Sequence, residues 1–136
     1  MIDSHCHLDL LASKVDLHVS LESAKAAGVT RIMAPSINPP SWKALQALSE
    51  QYGSILPIDT ALGLHPYFLT DSNQNSQAST TDAHEQGISE SLERLEAAAA
   101  NLHLSVKAVG ETGIDGHINV PFTLQKRVLH AHLKLA

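Results

Sequence analysis

The side chains best placed to do chemistry are two histidines near the start of the chain. The sequence there reads Asp3-Ser4-His5-Cys6-His7. On a β-strand, residues two apart point to the same face, so His5 and His7 would project together and Cys6 the other way. Two imidazoles on one face can chelate a single divalent ion. The same spacing also occurs in solvated loops, so this motif alone leaves both interpretations open.

Two further candidates follow apolar runs that are typical of strands. Glu111 comes after Val109-Gly110, and His65 lies in the segment Gly63-Leu64-His65-Pro66. A carboxylate has two oxygens and can bridge two cations, although a glutamate after a strand is also a common cap or ion-pair partner. The following proline restricts His65 to extended backbone. This imidazole therefore either contacts substrate or occupies an ordinary turn.

Short apolar runs alternate with helical periodicity, and this alternation must position the candidate residues. The runs at 1–10, 31–37, 55–64 and 106–109 predict strands, and helical patterns follow near Asp16, Ser41, Ile88 and Leu124. Strict alternation predicts an α/β fold with parallel strands and right-handed crossovers. A doubly wound sheet and a (β/α)₈ barrel both begin this way, and a full barrel takes about 250 residues, so four units are half of one. The polar segment 70–86 predicts a mobile surface loop.

The four candidates share one placement, at or just past the C-terminal end of a predicted strand. In parallel barrels the catalytic groups gather at that end. The other histidines considered lack this placement and are interpreted as structural or solvated: His84, His103, His117, His130 and His132. Of these, His103, His130 and His132 fall on predicted helices. We expect Cys6 to pack as a small apolar group.

Composition restricts the class of protein. The chain has 136 residues, 43% of them hydrophobic and 17% charged, which fits one folded domain over residues 1–136. A formal charge of −5 argues against a protein that grips duplex nucleic acid through a basic face. The single cysteine, the lack of a secretory signal and the lack of a membrane-spanning apolar run predict a cytoplasmic location.

Taken together, three segments resemble the N-terminal signatures of the TatD family of metal-dependent hydrolases. They are Ile2-Asp3-Ser4-His5-Cys6-His7, Ala61-Leu62-Gly63-Leu64-His65-Pro66 and Ala108-Val109-Gly110-Glu111-Thr112-Gly113-Ile114-Asp115, in the family's order and at about its spacing. The resemblance implies a TIM-type barrel, of which residues 1–136 form the N-terminal half, roughly its first four βα units. It also implies that His5, His7 and Glu111 are metal ligands, that Glu111 is catalytic, and that His65 lies near the substrate. Thr112 and Gly116-His117 depart from the family's pattern.

The resemblance further implies two divalent ions in the intact enzyme, Mg, Zn or Mn, which activate water for attack on an ester. DNA or another phosphoester would be the substrate, bound transiently, with no stable protein partner. The family's remaining ligands, two histidines and an aspartate, come from later strands than this sequence contains. We therefore expect the chain by itself to be weakly active or inactive.

Two alternatives to a TatD-like deoxyribonuclease stay open. One is another amidohydrolase-type barrel that cleaves amide or C–N bonds. Many of those enzymes carry a carboxylated lysine where this chain has Glu111, whereas Lys107 lies at the start of the strand, so the glutamate favours the phosphodiesterase. The other alternative is a non-catalytic truncated fragment that persists as a folding or interaction unit.

Overall fold

Within the described residues, four parallel strands alternate with α-helices as the apolar patterning predicts, except that two helices instead of one follow the first strand. The computed structural model describes residues 1–69 and 81–136, without the side chains of residues 81–84. The strands are β1 (Ile2–Asp3), β2 (Arg31–Pro35), β3 (Ile58–Leu62) and β4 (Val106–Val109). The helices are α1 (Leu8–Ala12), α2 (Leu17–Ala26), α3 (Pro39–Tyr52), α4 (Thr81–Ala100) and α5 (Phe122–Leu135), and a 3₁₀ turn, Pro66–Phe68, follows β3.

The strands form one sheet in the order β1-β2-β3-β4. In β2 and β3 the pairing runs from Ile32 opposite Ile58 to Pro35 opposite Ala61. Since all pairs are parallel, the carboxyl ends of the strands lie along one edge of the sheet. The segments that carry the candidate residues leave the sheet at this edge.

Side-chain caps fix where two of the helices begin. Asp16 accepts a hydrogen bond from the backbone N–H of Val19 at 3.2 Å. At the start of α3, Asn38 Oδ1 accepts from Ser41 N at 3.0 Å and Ser41 Oγ accepts from Asn38 N at 3.1 Å. Such caps satisfy first-turn N–H groups that have no acceptor within the helix. Because α3 starts so soon after β2, the connecting residues stay at the carboxyl edge of the sheet.

Two apolar clusters make up the core. One packs α1, α2 and α3 against β2 and β3, and its residues include Leu8, Leu17, Leu21, Ile32, Leu45 and Ile58. The other packs α4 and α5 against the carboxyl side of β3, and its residues include Leu62, Leu64, Ile88, Leu95, Leu124 and Val128. The helical faces predicted from apolar spacing are therefore the buried faces, except that Leu102, expected on the stripe of α4, lies beyond this helix and is 57% exposed. No helix in residues 1–69 or 81–136 is long and apolar enough to cross a bilayer.

The first predicted strand is wrong beyond Asp3. Strand β1 contains only Ile2–Asp3, and the chain turns into α1 at Leu8. Leu8 is 1% exposed, so the helical turn places it in the core, where an extended continuation would not. The apolar run 1–10 is therefore shared between a strand, a connecting segment and a helix.

The polar segment 70–86 is also corrected in part. Residues 70–80 lie outside the described residues, but 81–86 belong to α4 and not to a loop. Gln86 Nε2 donates to Glu90 Oε1 at 3.2 Å, an i,i+4 pair that supports a helix despite the polar composition. At its other end α4 stops at Ala100, so His103 follows this helix and is not part of it.

Candidate metal centre

The two histidines after β1 and the glutamate after β4 converge at the carboxyl edge of the sheet. His5 Nε2 and His7 Nε2 are 3.3 Å apart. Glu111 Oε1 lies 3.5 Å from His5 Nε2, and Glu111 Oε2 lies 3.1 Å from His7 Nε2. Within residues 1–69 and 81–136, this is the one group of three His, Cys, Asp or Glu side chains close enough to share an ion. The structure thus brings together the three residues predicted as ligands.

The spacing of these donors can be compared with that of real coordination shells. With metal–ligand bonds of about 2.0–2.2 Å, neighbouring ligand atoms lie about 3.3–3.6 Å apart in a tetrahedral shell and about 3.0 Å apart in an octahedral one. The observed separations of 3.1, 3.3 and 3.5 Å are close to this range, with the two to Glu111 measured from different carboxylate oxygens, and one donor atom from each residue lies within 4.8 Å of the others. Two imidazoles and a carboxylate are also a ligand set that Zn²⁺ or Mn²⁺ accepts. The donor set therefore fits a divalent cation.

Backbone hydrogen bonds hold the histidine segment against the sheet although it is not part of β1. Cys6 N donates to the carbonyl of Met33 at 3.1 Å, and His5 N donates to Asp3 Oδ1 at 3.1 Å. Cys6 packs against the core cluster beneath it, as predicted, and burial raises the pKa of its thiol. The imidazoles therefore share a face because Cys6 anchors the segment between them, and not because they lie on a strand.

Glu111 reaches the histidines because the chain after β4 passes over the end of β3. Gly110 N donates to Leu62 O at 2.9 Å, and Glu111 N then donates to Ser36 O, beyond β2, also at 2.9 Å. This crossing requires a glycine at position 63, since a Cβ there would lie 2.1 Å from the carbonyl carbon of Gly110. Gly63 therefore lets the Glu111 backbone move from the sheet's edge toward β2.

An open groove of about 720 Å³ adjoins these residues. It is lined by His5, His65 and Glu111 together with residues 112–117. The side chain of His5 is 55% exposed and that of Glu111 is 26% exposed, so a ligand in the groove has access to both. His65 Nδ1 accepts a hydrogen bond from Tyr67 N at 3.2 Å, which leaves Nε2–H as the donor of a neutral ring. The structure places His65 beside the groove.

Three buried residues support this edge and were not singled out from the sequence: Ser36, Trp42 and Gln125. A fourth, His132, was interpreted as structural or solvated. Ser36 Oγ accepts from Gly63 N at 2.9 Å, and Trp42 Nε1 donates to Gly63 O at 2.7 Å. The residues at 125, 128 and 132 share a helical face, and this spacing could have revealed two polar side chains in a buried stripe.

His132 illustrates how such a residue acts on the groove. Its Nε2 accepts a hydrogen bond from the N–H of Leu64 at 3.0 Å, and its Nδ1–H donates to Val128 O at 2.8 Å. Burial lowers the pKa of this imidazole below its ordinary value, and the neutral ring matches both partners. His132 is thus structural, as interpreted, and it fixes the residue that precedes His65.

The remaining histidines are dispersed. His117, which was interpreted as structural or solvated, is exposed and lines the groove. His103 lies at the opposite edge of the sheet, with Nε2 2.9 Å from Glu50 Oε1 and Nδ1 2.9 Å from Ser105 Oγ. His130 is exposed on α5. The side chain of His84 lies outside the described residues.

Comparison with known proteins agrees with the motifs. A model of the family described as TatD related DNase matches residues 2–136. The chain belongs to this family. It is 35% identical over 136 residues to YjjV of Escherichia coli K12, named an uncharacterized metal-dependent hydrolase, covering 99% of this chain and 46% of YjjV. Human TATDN3, named a deoxyribonuclease, is 37% identical over 67 residues, which are 48% of this chain and 23% of TATDN3.

Comparison with solved structures confirms the fold. The crystal structure of E. coli YjjV, described as a TatD homolog, matches with a TM-score of 0.78 at 34% identity, over all of this chain and 46% of that one. An uncharacterized amidohydrolase from Saccharomyces cerevisiae matches with a TM-score of 0.62 at 18% identity, over 88% of this chain and 36% of that one, and bears on the fold alone. The α/β barrel architecture of the TatD family is thus shown. The chain spans about half the length of YjjV.

Proposed function

We propose that this chain supplies His5, His7 and Glu111 as ligands to a divalent cation in a metal-dependent hydrolase of phosphodiesters, with DNA as the substrate class. The observation that carries the proposal is the convergence of the three donor groups within 3.1–3.5 Å of one another. Membership of the TatD related DNase family supports the choice of a hydrolase. The name of human TATDN3 supports DNA over other esters.

The chemistry follows from what a cation and these side chains can each do. A bound divalent cation lowers the pKa of water and stabilises negative charge on a phosphoryl oxygen. Glu111 presents one oxygen to each histidine, so its carboxylate would complete a three-residue ligand set with them. His65 offers an Nε2–H donor beside the groove, which suits a phosphate oxygen. In this proposal Glu111 organises the reacting centre and His65 binds substrate.

The charge of the chain agrees with this mode of binding. A formal charge of −5 makes a tight electrostatic grip on duplex DNA unfavourable. A phosphodiester held through a cation does not need a basic surface. We therefore expect a transient complex with a single phosphate or a strand end. We also propose a cytoplasmic location, because one cysteine suits a reducing compartment.

Metal binding to the purified chain tests the ligand set. Zn²⁺ or Mn²⁺ affinity is measured by competition with a chromogenic chelator for the wild type and for the double variant His5→Ala/His7→Ala. Loss of an outer-shell partner already costs about 10–100-fold in metal affinity, so loss of two ligands should cost at least as much. His18→Ala, which removes an exposed histidine from α2, is the matched control. Equal affinities in all three proteins would exclude these histidines as ligands.

Catalysis by the chain as given is a separate question. Three ligands can hold one ion, whereas the proposed intact enzyme uses two, so we expect little or no turnover. Release of nucleotides from single-stranded DNA in Mg²⁺, Mn²⁺ or Zn²⁺ measures this directly. Robust turnover by a monomer that Glu111→Gln abolishes would contradict the expectation of inactivity while supporting the site.

A further inference from the structure

We propose that Gln125 is a positioning residue for substrate: it fixes the loop 113–121 as one wall of the groove beside Glu111. The inference rests on the function proposed above and adds a residue outside the metal ligands. The side chain of Gln125 lies on α5 and is 0% exposed. A fully buried amide must be hydrogen-bonded to be tolerated, and every bond it makes here goes to this loop.

The contacts of Gln125 form a clamp on the two ends of a turn. Gln125 Oε1 accepts a hydrogen bond from Asp115 N at 2.7 Å. Its Nε2 donates to Asp115 O at 3.0 Å and to Val120 O at 2.8 Å. One side chain thus satisfies both backbone groups of Asp115 and a carbonyl five residues later. An amide is the group that supplies one acceptor and two donors for this arrangement.

Part of the clamped segment, residues 115–117, lies along the groove. Residues 112–117 line the groove together with His5, His65 and Glu111. Asp115 Oδ1 accepts from His117 N at 2.8 Å, so fixing Asp115 also fixes the backbone of His117. Glu111 itself is held by Ser36, beyond β2, and not by Gln125. The clamp should therefore govern what lies along the groove while leaving the metal ligands in place.

Because Gln125 holds the loop but not the metal ligands, two ligands of different size can test its role. Inorganic phosphate would reach only the cation and His65, whereas the dinucleotide thymidylyl-thymidine would also extend along the groove. Gln125→Met retains side-chain length and helix propensity but removes all three hydrogen bonds. With Zn²⁺ bound, we expect the variant to bind phosphate within threefold of wild type and the dinucleotide at least tenfold more weakly. Gln51→Met, at an exposed position of α3, is the matched control and should match wild type for both probes.

A second variant and a metal-free measurement show whether a weaker affinity for the dinucleotide results from loss of folding or from loss of the clamp. Gln125→Glu keeps an acceptor for Asp115 N but loses both donors, so the dinucleotide should weaken here as well, with Gln51→Glu as control. Without metal, hydrogen exchange of the backbone amides of 113–121 should accelerate in either Gln125 variant, while the amides of β2 and β3 stay protected.

The outcomes separate this inference from the function on which it rests. If the wild type binds no metal, the proposed function fails. Amide exchange over residues 113–121 in the metal-free proteins then still tests whether Gln125 fixes the loop. Unchanged exchange over 113–121, or unchanged dinucleotide affinity in a chain that binds phosphate, overturns the clamp. Equal weakening of phosphate and dinucleotide overturns it too, because Gln125 would then act only through general stability.

Discussion

Replacing Gly63 by alanine should remove the metal site without changing any of its ligands. Gly63 lies just after β3, where the chain leading from Gly110 to Glu111 crosses it. An added Cβ would lie 2.1 Å from the carbonyl carbon of Gly110 and 2.2 Å from the nitrogen of Glu111. Both neighbours are backbone atoms, so no side-chain rotation can relieve the overlap.

The size of the effect follows from these distances. Carbon atoms pack favourably at about 3.5–4.0 Å, so the two backbones must separate by roughly 1.4 Å or more. Ligand distances in a metal site tolerate about ±0.2 Å, and a carboxylate displaced by such a distance leaves the shell. The shift also strains the bonds from Gly110 to Leu62 and from Glu111 to Ser36. Overpacking together with two weakened bonds should cost about 2–6 kcal/mol.

Two measurements on one preparation check this prediction. Urea unfolding in the presence of a chelator gives the stability change, and competition with a zinc indicator gives the metal affinity. Gly116→Ala is the control, because a Cβ there meets only Phe122 Cζ at 3.9 Å, an ordinary contact. We expect Gly63→Ala to lose at least tenfold in affinity and the control to keep wild-type stability and affinity. A Gly63→Ala chain with the wild-type midpoint and affinity would refute the crossing of Glu111 over β3.

Three further predictions concern stability. Burial lowers the pKa of His132, so as the pH falls the unfolded chain protonates this imidazole first, near pH 6.5. The contribution of His132 to stability should therefore be constant above pH 6.5 and should fall as the pH drops from 6.5 toward the lower pKa of the folded chain. The urea midpoint should decrease over this range in the wild type, less so in His132→Asn, and as in the wild type in His18→Asn. Asn38→Ala removes the capping box of α3 and should lower the free energy of unfolding in urea by about 1 kcal/mol. An unchanged urea midpoint would show that the cap does not stabilise the chain. Leu45→Ala, at a site 0% exposed, should cost about 2–5 kcal/mol, and a loss below 1 kcal/mol would mean that the core there is loosely packed.

The order of elements and the convergence of the ligands could be predicted because both depend on local patterns. Apolar spacing at positions 17, 21 and 24 or 88, 92 and 95 indicates a helix whatever surrounds it. Parallel strands place their carboxyl ends at one edge of the sheet, so residues that follow the ends of different strands are expected to lie near one another. This reasoning identified Glu111 and His65 as candidate site residues without knowledge of any tertiary contact.

The structure confirms that the side chains of His5 and His7 lie together, but the predicted strand through both residues is wrong. A strand through both residues was expected, but the ladder ends at Asp3 and α1 begins at Leu8. The apolar run could not show this, because an alternating strand and a short amphipathic turn look alike over ten residues. What fixes the pair is a hydrogen bond from Cys6 N to Met33 O, between residues 27 positions apart. Periodicity within one segment carries no information about such a bond.

The polar supports of the groove were hidden for a related reason. Gln125 and His132 act on backbone groups of Asp115 and Leu64, which lie 10 and 68 residues away. In the sequence they are two polar residues on a helix, where a solvated position is the usual expectation. The helical spacing of 125, 128 and 132 could indicate that they are buried, but only the packing of α5 against the core reveals which backbone groups they bind. Residue type and position identified the three candidate ligands that the structure brings together, whereas the residues that hold them in place emerge from tertiary contacts.

The site also depends on how the chain leaves the sheet, which no single strand can encode. The candidate ligands follow the first and last strands in the order β1-β2-β3-β4. Adjacent strands lie about 4.7–4.9 Å apart, so in a flat sheet the ends of β1 and β4 would be about 14 Å from each other. Yet the imidazoles of His5 and His7 lie 3.5 and 3.1 Å from the carboxylate of Glu111. The crossing over Gly63, which places Glu111 N 2.9 Å from Ser36 O beyond β2, carries the carboxylate across much of this width. Metal affinity should therefore report on this crossing as well as on the identity of the candidate ligands.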